Sequence, residues 1–116
     1  MTDEEGDQRI VRIVELARHY AAEKHTATAA LCYEAAFTAS QELKTPVQRL
    51  ACGEACAWKA ESARLEGMLG TAADWYWRAV IADPLAEELR ALYLDAVRRS
   101  RDDMDKHVRK LEEVTK

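Results

Sequence analysis

The stretch TPVQRLACGEACAWKAESARLEGMLGTAADWYWRAVIADP, residues 45–84, decides the fold class. Thr45-Pro46 opens it with a helix start: the threonine hydroxyl suits an N-cap, and proline at the first helical position forfeits no hydrogen bond. Val47, Ala51, Ala55, Trp58, Ser62, Leu65 and Leu69 then recur at three- and four-residue steps, one helical stripe that Gly67 and Gly70 interrupt. Thr71, three residues before Asp74, reads as an abbreviated capping box opening a short helix through Ala82. Asp83-Pro84 repeats the cap-plus-proline device for the next helix. No part of the stretch alternates as a half-buried strand would.

Working upstream, Ile10, Ile13, Val14, Ala17, Tyr20 and Ala21 make one helical face, with Arg12, Glu15 and Arg18 turned away from it. This predicts a first helix from about Glu4 to about Lys24. Thr26 is placed to cap a second, whose Ala29, Ala30, Tyr33, Ala36, Phe37 and Ser40 form a wide surface of small side chains that lets helix axes approach closely. Downstream of Pro84 no Gly or Pro occurs, and Leu89, Tyr93, Val97, Ser100, Met104, Val108 and Leu111 sustain one stripe. A last helix of about 30 residues would be ~45 Å long at 1.5 Å per residue. Charged residues crowd its distal half, which is predicted to project, fray or pack on a second copy. The expectation is all-α, about five antiparallel helices in one domain, 1–116. It divides into a hairpin over 9–43, a second over 45–83 and a long C-terminal helix over 84–116.

Composition agrees: 116 residues, 48% hydrophobic and 33% charged, with four Gly and two Pro, suit one helix-rich domain. A net charge of −4 lacks the field that nucleic-acid binding needs. The basic run Arg98-Arg99-Ser100-Arg101 is followed at once by Asp102, Asp103 and Asp105, and reads as a solvated helix face. No apolar run approaches the ~20 residues of a membrane span, and the acidic Met1-Thr2-Asp3-Glu4-Glu5 is unlike a secretory leader, so a cytoplasmic location without membrane partners is expected. Cys32, Cys52 and Cys56 lack C-x-x-C spacing and read as reduced, packing thiols. Cys52 and Cys56 do share a helix face, and a metal site there would need Cys32, His19 or His25 to complete it. A metal- or thiol-dependent helical bundle is therefore the alternative class. No phosphate loop, nucleophile motif or carboxylate pair on an apolar face is found, which points away from an enzyme and from any cofactor.

Two segments carry the same small-aromatic-small signature, Ala29, Tyr33, Ala36 and Ala72, Tyr76, Ala79, offset by 43 residues. The pattern resembles the tetratricopeptide repeat, a helical hairpin with a period of about 34 residues. Ile13, Leu16, Ala17 and Tyr20 match the first helix of that repeat, and Gly67, Leu69 and Pro84 match the later part of a second copy. That copy's first helix departs, with Cys56, Lys59 and Ala63 at the signature positions. Residues 9–69 also resemble, more weakly, the three-helix microtubule-interacting-and-trafficking domain through Leu16, Ala29, Tyr33, Trp58 and Leu65.

The repeat resemblance implies a protein-interaction module, an adaptor or scaffold, with ligand-facing positions at Arg18, Glu54, Glu61, Arg64, Asp95, Arg98 and Arg99. Trp75 and Trp77, about 100° to either side of Tyr76, diverge to opposite flanks, and one of them is expected at a partner contact. The stripe through Met104, Val108 and Leu111 exceeds what the domain can cover and marks a further surface. The partner is a polypeptide, its own copy included, so a homodimer is one expected form and a purely structural homodimer is a rival reading.

Overall fold

The computed structural model describes residues 2–115; Met1 and Lys116, the ends of the predicted domain, lie outside the described residues. Five helices follow one another: α1 Asp3–Ala22, α2 Thr26–Ser40, α3 Pro46–Leu65, α4 Leu69–Ala82 and α5 Glu87–Thr115. Among the described residues there is no strand. Each of the first four helices packs on the next, α1 also touches α3, and α5 lies along α4.

Local chemistry explains most of the boundaries. Thr2 accepts a hydrogen bond from the Glu5 N–H at 3.2 Å, and Asp3, Glu4 and Glu5 place negative charge in the first turn of α1. The Thr45 hydroxyl accepts from the Gln48 N–H at 3.1 Å and donates to Asp7 Oδ1 at 2.8 Å, which ties the start of α3 to α1. Two of the turns are Schellman closures. His25 N–H reaches Tyr20 O at 2.9 Å and Lys24 N–H reaches Ala21 O at 3.1 Å; Met68 and Gly67 repeat the pair onto Ala63 and Arg64. Their left-handed residues are Lys24 at φ 64° and Gly67 at φ 79°.

Three predicted starts are corrected. Thr26 is the first residue of α2 rather than its cap; the cap position belongs to His25, whose side chain makes no capping bond. Helix α4 begins at Leu69, so Gly70, Thr71 and Asp74 are all inside it and the capping box does not form. The Schellman turn at Gly67 already sets the chain direction, and Gly70 lies beside α5, where a Cβ would make an ordinary contact 3.8 Å from Ser100 Oγ. Asp83-Pro84 ends α4 instead of opening α5. Asp83 is the C-cap, its carbonyl accepts from Ala86 N–H at 3.2 Å, and α5 starts at Glu87.

The interior is built from alanine. Among the described residues twelve alanines are buried, and of large side chains only Ile10, Val14, Tyr33 and Tyr76 join them. Ala51, Cys52, Gly53, Ala55, Cys56, Ala60 and Ala63 are all buried on α3, which is enclosed by α1, α2 and α4. The single stripe predicted for α3 is therefore two buried faces, and Leu65 at its end is 73% exposed. Helices α3 and α4 meet so closely that a Cβ on Gly53 would come within 3.2 Å of Asp83 Cβ. Leu16, Leu31, Leu50, Ile81, Leu85 and Leu94 lie outside, a reversal of the usual distribution.

The molecule is elongated, 64 × 29 × 21 Å, with a radius of gyration of 16.9 Å. A compact chain of this length would have about 13 Å. The excess comes from α5, whose 29 residues outrun α4 and whose positions 101–114 are all exposed.

Candidate protein-interaction surfaces

The residues picked as ligand-facing fall into three ionic groups. Arg18 on α1 forks onto Glu54 on α3, Nε to Oε2 at 2.8 Å and Nη2 to Oε1 at 2.5 Å, and the Tyr33 hydroxyl from α2 donates to the same carboxylate at 3.2 Å. Arg64 forks onto Glu61 one turn earlier on α3, and the Tyr76 hydroxyl from α4 donates to Glu61 at 2.9 Å. On α5, Asp95 receives Arg98 at 3.0 Å and Arg99 at 2.9 Å. Each signature tyrosine therefore sends its ring into the core and its hydroxyl to an arginine-paired glutamate. Burial and the adjacent carboxylates push both phenols up to about 12. The Arg64 fork holds Glu61 below the usual carboxylate range.

Glu54 and Arg18, with Glu15, border a shallow groove between α1 and α3, about 210 Å³ and otherwise lined by apolar residues including Val11, Val14, Val47 and Leu50. Of the residues behind the three-helix resemblance, Ala29 and Tyr33 are buried and Trp58 is half-buried, stacked on Tyr33 at 5.1 Å, whereas Leu16 and Leu65 are exposed.

The tryptophans separate as the helical geometry requires. Trp75 turns toward α2 and α3, edge-on to Phe37 at 5.5 Å, with Lys59 Nζ 4.5 Å from its ring centroid and the Arg78 guanidinium 4.7 Å away. Lys59 also pairs with Glu34, so a mostly buried ammonium is held by two rings and a carboxylate. Trp77 turns to α5 and leans on Tyr93 at 5.3 Å while remaining 49% exposed. Neither ring is placed at Met104, Val108 or Leu111. Tyr93 precedes Met104 by three helical turns, ~16 Å at 1.5 Å per residue.

Cys52 and Cys56 are buried with their sulfurs 3.9 Å apart, and with Phe37, Leu43 and Arg78 they line a cavity of about 240 Å³. Hydrogen bonding from Cys56 draws the Cys52 thiol down to about 7, while that bond and burial push Cys56 up. Cys32 belongs to a different part of the core, against Ile10, Val14 and Tyr33, and His19 and His25 flank Tyr20 at the end of α1. Among the described residues no three His, Cys, Asp or Glu side chains are grouped to hold a metal ion.

A further exposed apolar face lies on α5. Tyr93, Ala96, Val97 and Ser100 meet α4, and the same face continues beyond the first turn of α4 as Met104, Val108 and Leu111, which are 61%, 43% and 55% exposed. Beside it an open groove of about 660 Å³, which Met104 borders but Val108 and Leu111 do not, is lined by Leu69, Gly70, Ser100, His107 and Lys110. The sequence showed this stripe by its spacing; the structure adds that α4 stops short of it. What sequence reasoning missed is the exposed pair at the α3–α4 turn, Leu65 and Met68. No helix of the described residues is long and apolar enough to cross a membrane. Comparison of the chain with protein-family models, with curated proteins and with solved structures finds no match.

Proposed function

We propose that this chain is a protein-interaction module, an adaptor or scaffold that works without catalysis, and that its principal docking surface is the distal face of α5. The observation that carries this reading is the continuity of that face: the apolar stripe that packs on α4 runs on through Met104, Val108 and Leu111, which stay 61%, 43% and 55% exposed. Contiguous exposed apolar patches rimmed by polar residues mark interaction surfaces. The alanine core supports the same reading, since a chain that spends its small residues inside and its leucines outside is patterned for contacts beyond itself. The α1–α3 groove bordered by Arg18 and Glu54, where the repeat resemblance puts a ligand, is a second and smaller docking site of the same module.

The test compares proteins retained by the full chain with those retained by Met104→Asp/Val108→Asp. The pair of substitutions is expected to abolish retention of at least one stoichiometric partner while the helical circular dichroism signal and the melting temperature stay unchanged. Equal retention of the same proteins by both baits would overturn the reading.

A further inference from the structure

Cys52 and Cys56 stand one turn apart on α3, 5% and 0% exposed, with their sulfurs 3.9 Å from each other. They border a cavity of about 240 Å³ whose other walls include Phe37 on α2, Leu43, and Arg78 and Ile81 on α4. Neither thiol belongs to the docking surfaces described above. Spacing decides what the pair can hold. Two metal–sulfur bonds of about 2.3 Å reach at most ~4.6 Å from sulfur to sulfur, so one ion fits between sulfurs 3.9 Å apart in a bent bridge. A disulfide fits worse: it needs Cβ atoms ~3.5–4.5 Å apart, whereas a helix keeps those of residues four apart at ~5–6 Å. We propose that Cys52 and Cys56 form a two-coordinate site for a soft monovalent metal ion, copper(I).

Donor number and charge select that ion. Structural zinc takes four ligands and iron–sulfur clusters take four cysteines, but among the described residues no third His, Cys, Asp or Glu joins the pair. Of the metals that thiolates favour, copper(I) is the one that two donors can satisfy. Binding releases one proton from each thiol, and two thiolates around one monovalent cation leave a complex with one net negative charge. Arg78 stands in the cavity wall, and its charge favours anionic sulfur at both cysteines, as that of Lys59 does at Cys56. A divalent ion would give a neutral complex and gain nothing from that field. Around the sulfurs Ala79, Ala82, Phe37 and Leu43 make an apolar shell, of the kind that limits solvent access to a bound metal.

Anaerobic titration of the reduced full chain with copper(I), against a chromophoric copper(I) chelator, tests the site. One ion per chain is expected, with X-ray absorption showing two sulfur neighbours and no nitrogen. Cys52→Ala and Cys56→Ala set alanine into an interior already built of it. Each is expected to abolish the site while the helical circular dichroism signal persists, and Cys32→Ala is expected to leave it intact. Arg78→Gln changes an exposed residue, keeps both thiols, and is expected to weaken copper binding about tenfold through the lost charge. Equimolar zinc is expected not to displace the copper. Copper retained in full by either Cys52→Ala or Cys56→Ala, loss of the site in Cys32→Ala, nitrogen in the coordination shell, displacement by zinc, or wild-type affinity in Arg78→Gln overturns the assignment.

Discussion

At the scale of single residues, the two Schellman turns make a matched experiment. Lys24 and Gly67 occupy the same position in the same hydrogen-bond pattern, both left-handed, yet only one is glycine. Left-handed backbone costs a residue with a Cβ roughly 1–2 kcal/mol. Lys24→Gly is therefore expected to stabilise by up to ~1 kcal/mol, part of the gain being offset by the greater freedom of glycine in the unfolded chain. Gly67→Ala is expected to destabilise by about 1 kcal/mol, and denaturant midpoints of the two variants check the pair. The buried Ala36 and Ala79 give the opposite kind of site, where space rather than backbone is limiting. Leucine at either is expected to cost about 1–3 kcal/mol through overpacking. Variants melting with the wild type would mean that the small-aromatic-small copies do not set the helix spacing.

At the scale of elements, what the sequence disclosed depended on whether a boundary was made by the residue itself or by its neighbours. Thr45-Pro46 starts α3 because the hydroxyl and the ring act locally, and that reading agrees with the structure in every detail. Thr45→Ala removes both the cap and the bond to Asp7 and is expected to cost about 1–2 kcal/mol in thermal or denaturant melts. Thr71 and Asp83 carry the same local signal, but there it loses. The α3–α4 turn closes at Gly67 and lets α4 begin two residues later, and the end of α4 keeps Asp83 as its own C-cap. Helix α3 is the clearest case of a pattern that spacing under-reads: alanine and cysteine bury against any neighbour, so a stripe chosen by size overlooked Cys52, Cys56, Ala60 and Ala63.

At the scale of the whole molecule, the two tyrosine–glutamate–arginine groups couple stability to alkaline pH. Tyr33 and Tyr76 ionise near 12 in the folded chain, above the ordinary phenol value of 10. A raised value means the folded state holds its proton more tightly, so the stabilisation is complete below pH 10 and is lost as pH rises toward 12. Absorbance near 295 nm should show Tyr33 and Tyr76 ionising at that upper end, together with the fall in melting temperature. Tyr33→Phe/Tyr76→Phe should remove this late step and flatten the pH dependence in the same range. The projecting helix belongs to the same scale. Deleting residues 102–116 takes away no side chain buried in the described core, so the remaining domain is expected to melt within a few degrees of the full chain while any mass above monomer disappears in sedimentation.

The sequence by itself determined that the chain is all-helical, that it has five helices, and that the last outruns the others, because helical periodicity, caps and the absence of Gly and Pro after residue 84 are local properties. It also determined which residues line the α5 stripe, since a helix fixes its own faces. Only the tertiary structure decided that Met104 and Val108 on that stripe stay exposed, because exposure depends on where α4 stops. It alone joined Arg18 to Glu54 and Tyr76 to Glu61, separated Cys32 from Cys52 and Cys56, and sent Trp75 and Trp77 to different neighbours. The physical reason is common to all of these. Alanine-lined helices carry little shape information, so which helix lies against which follows from close packing of the assembled chain and not from any one segment.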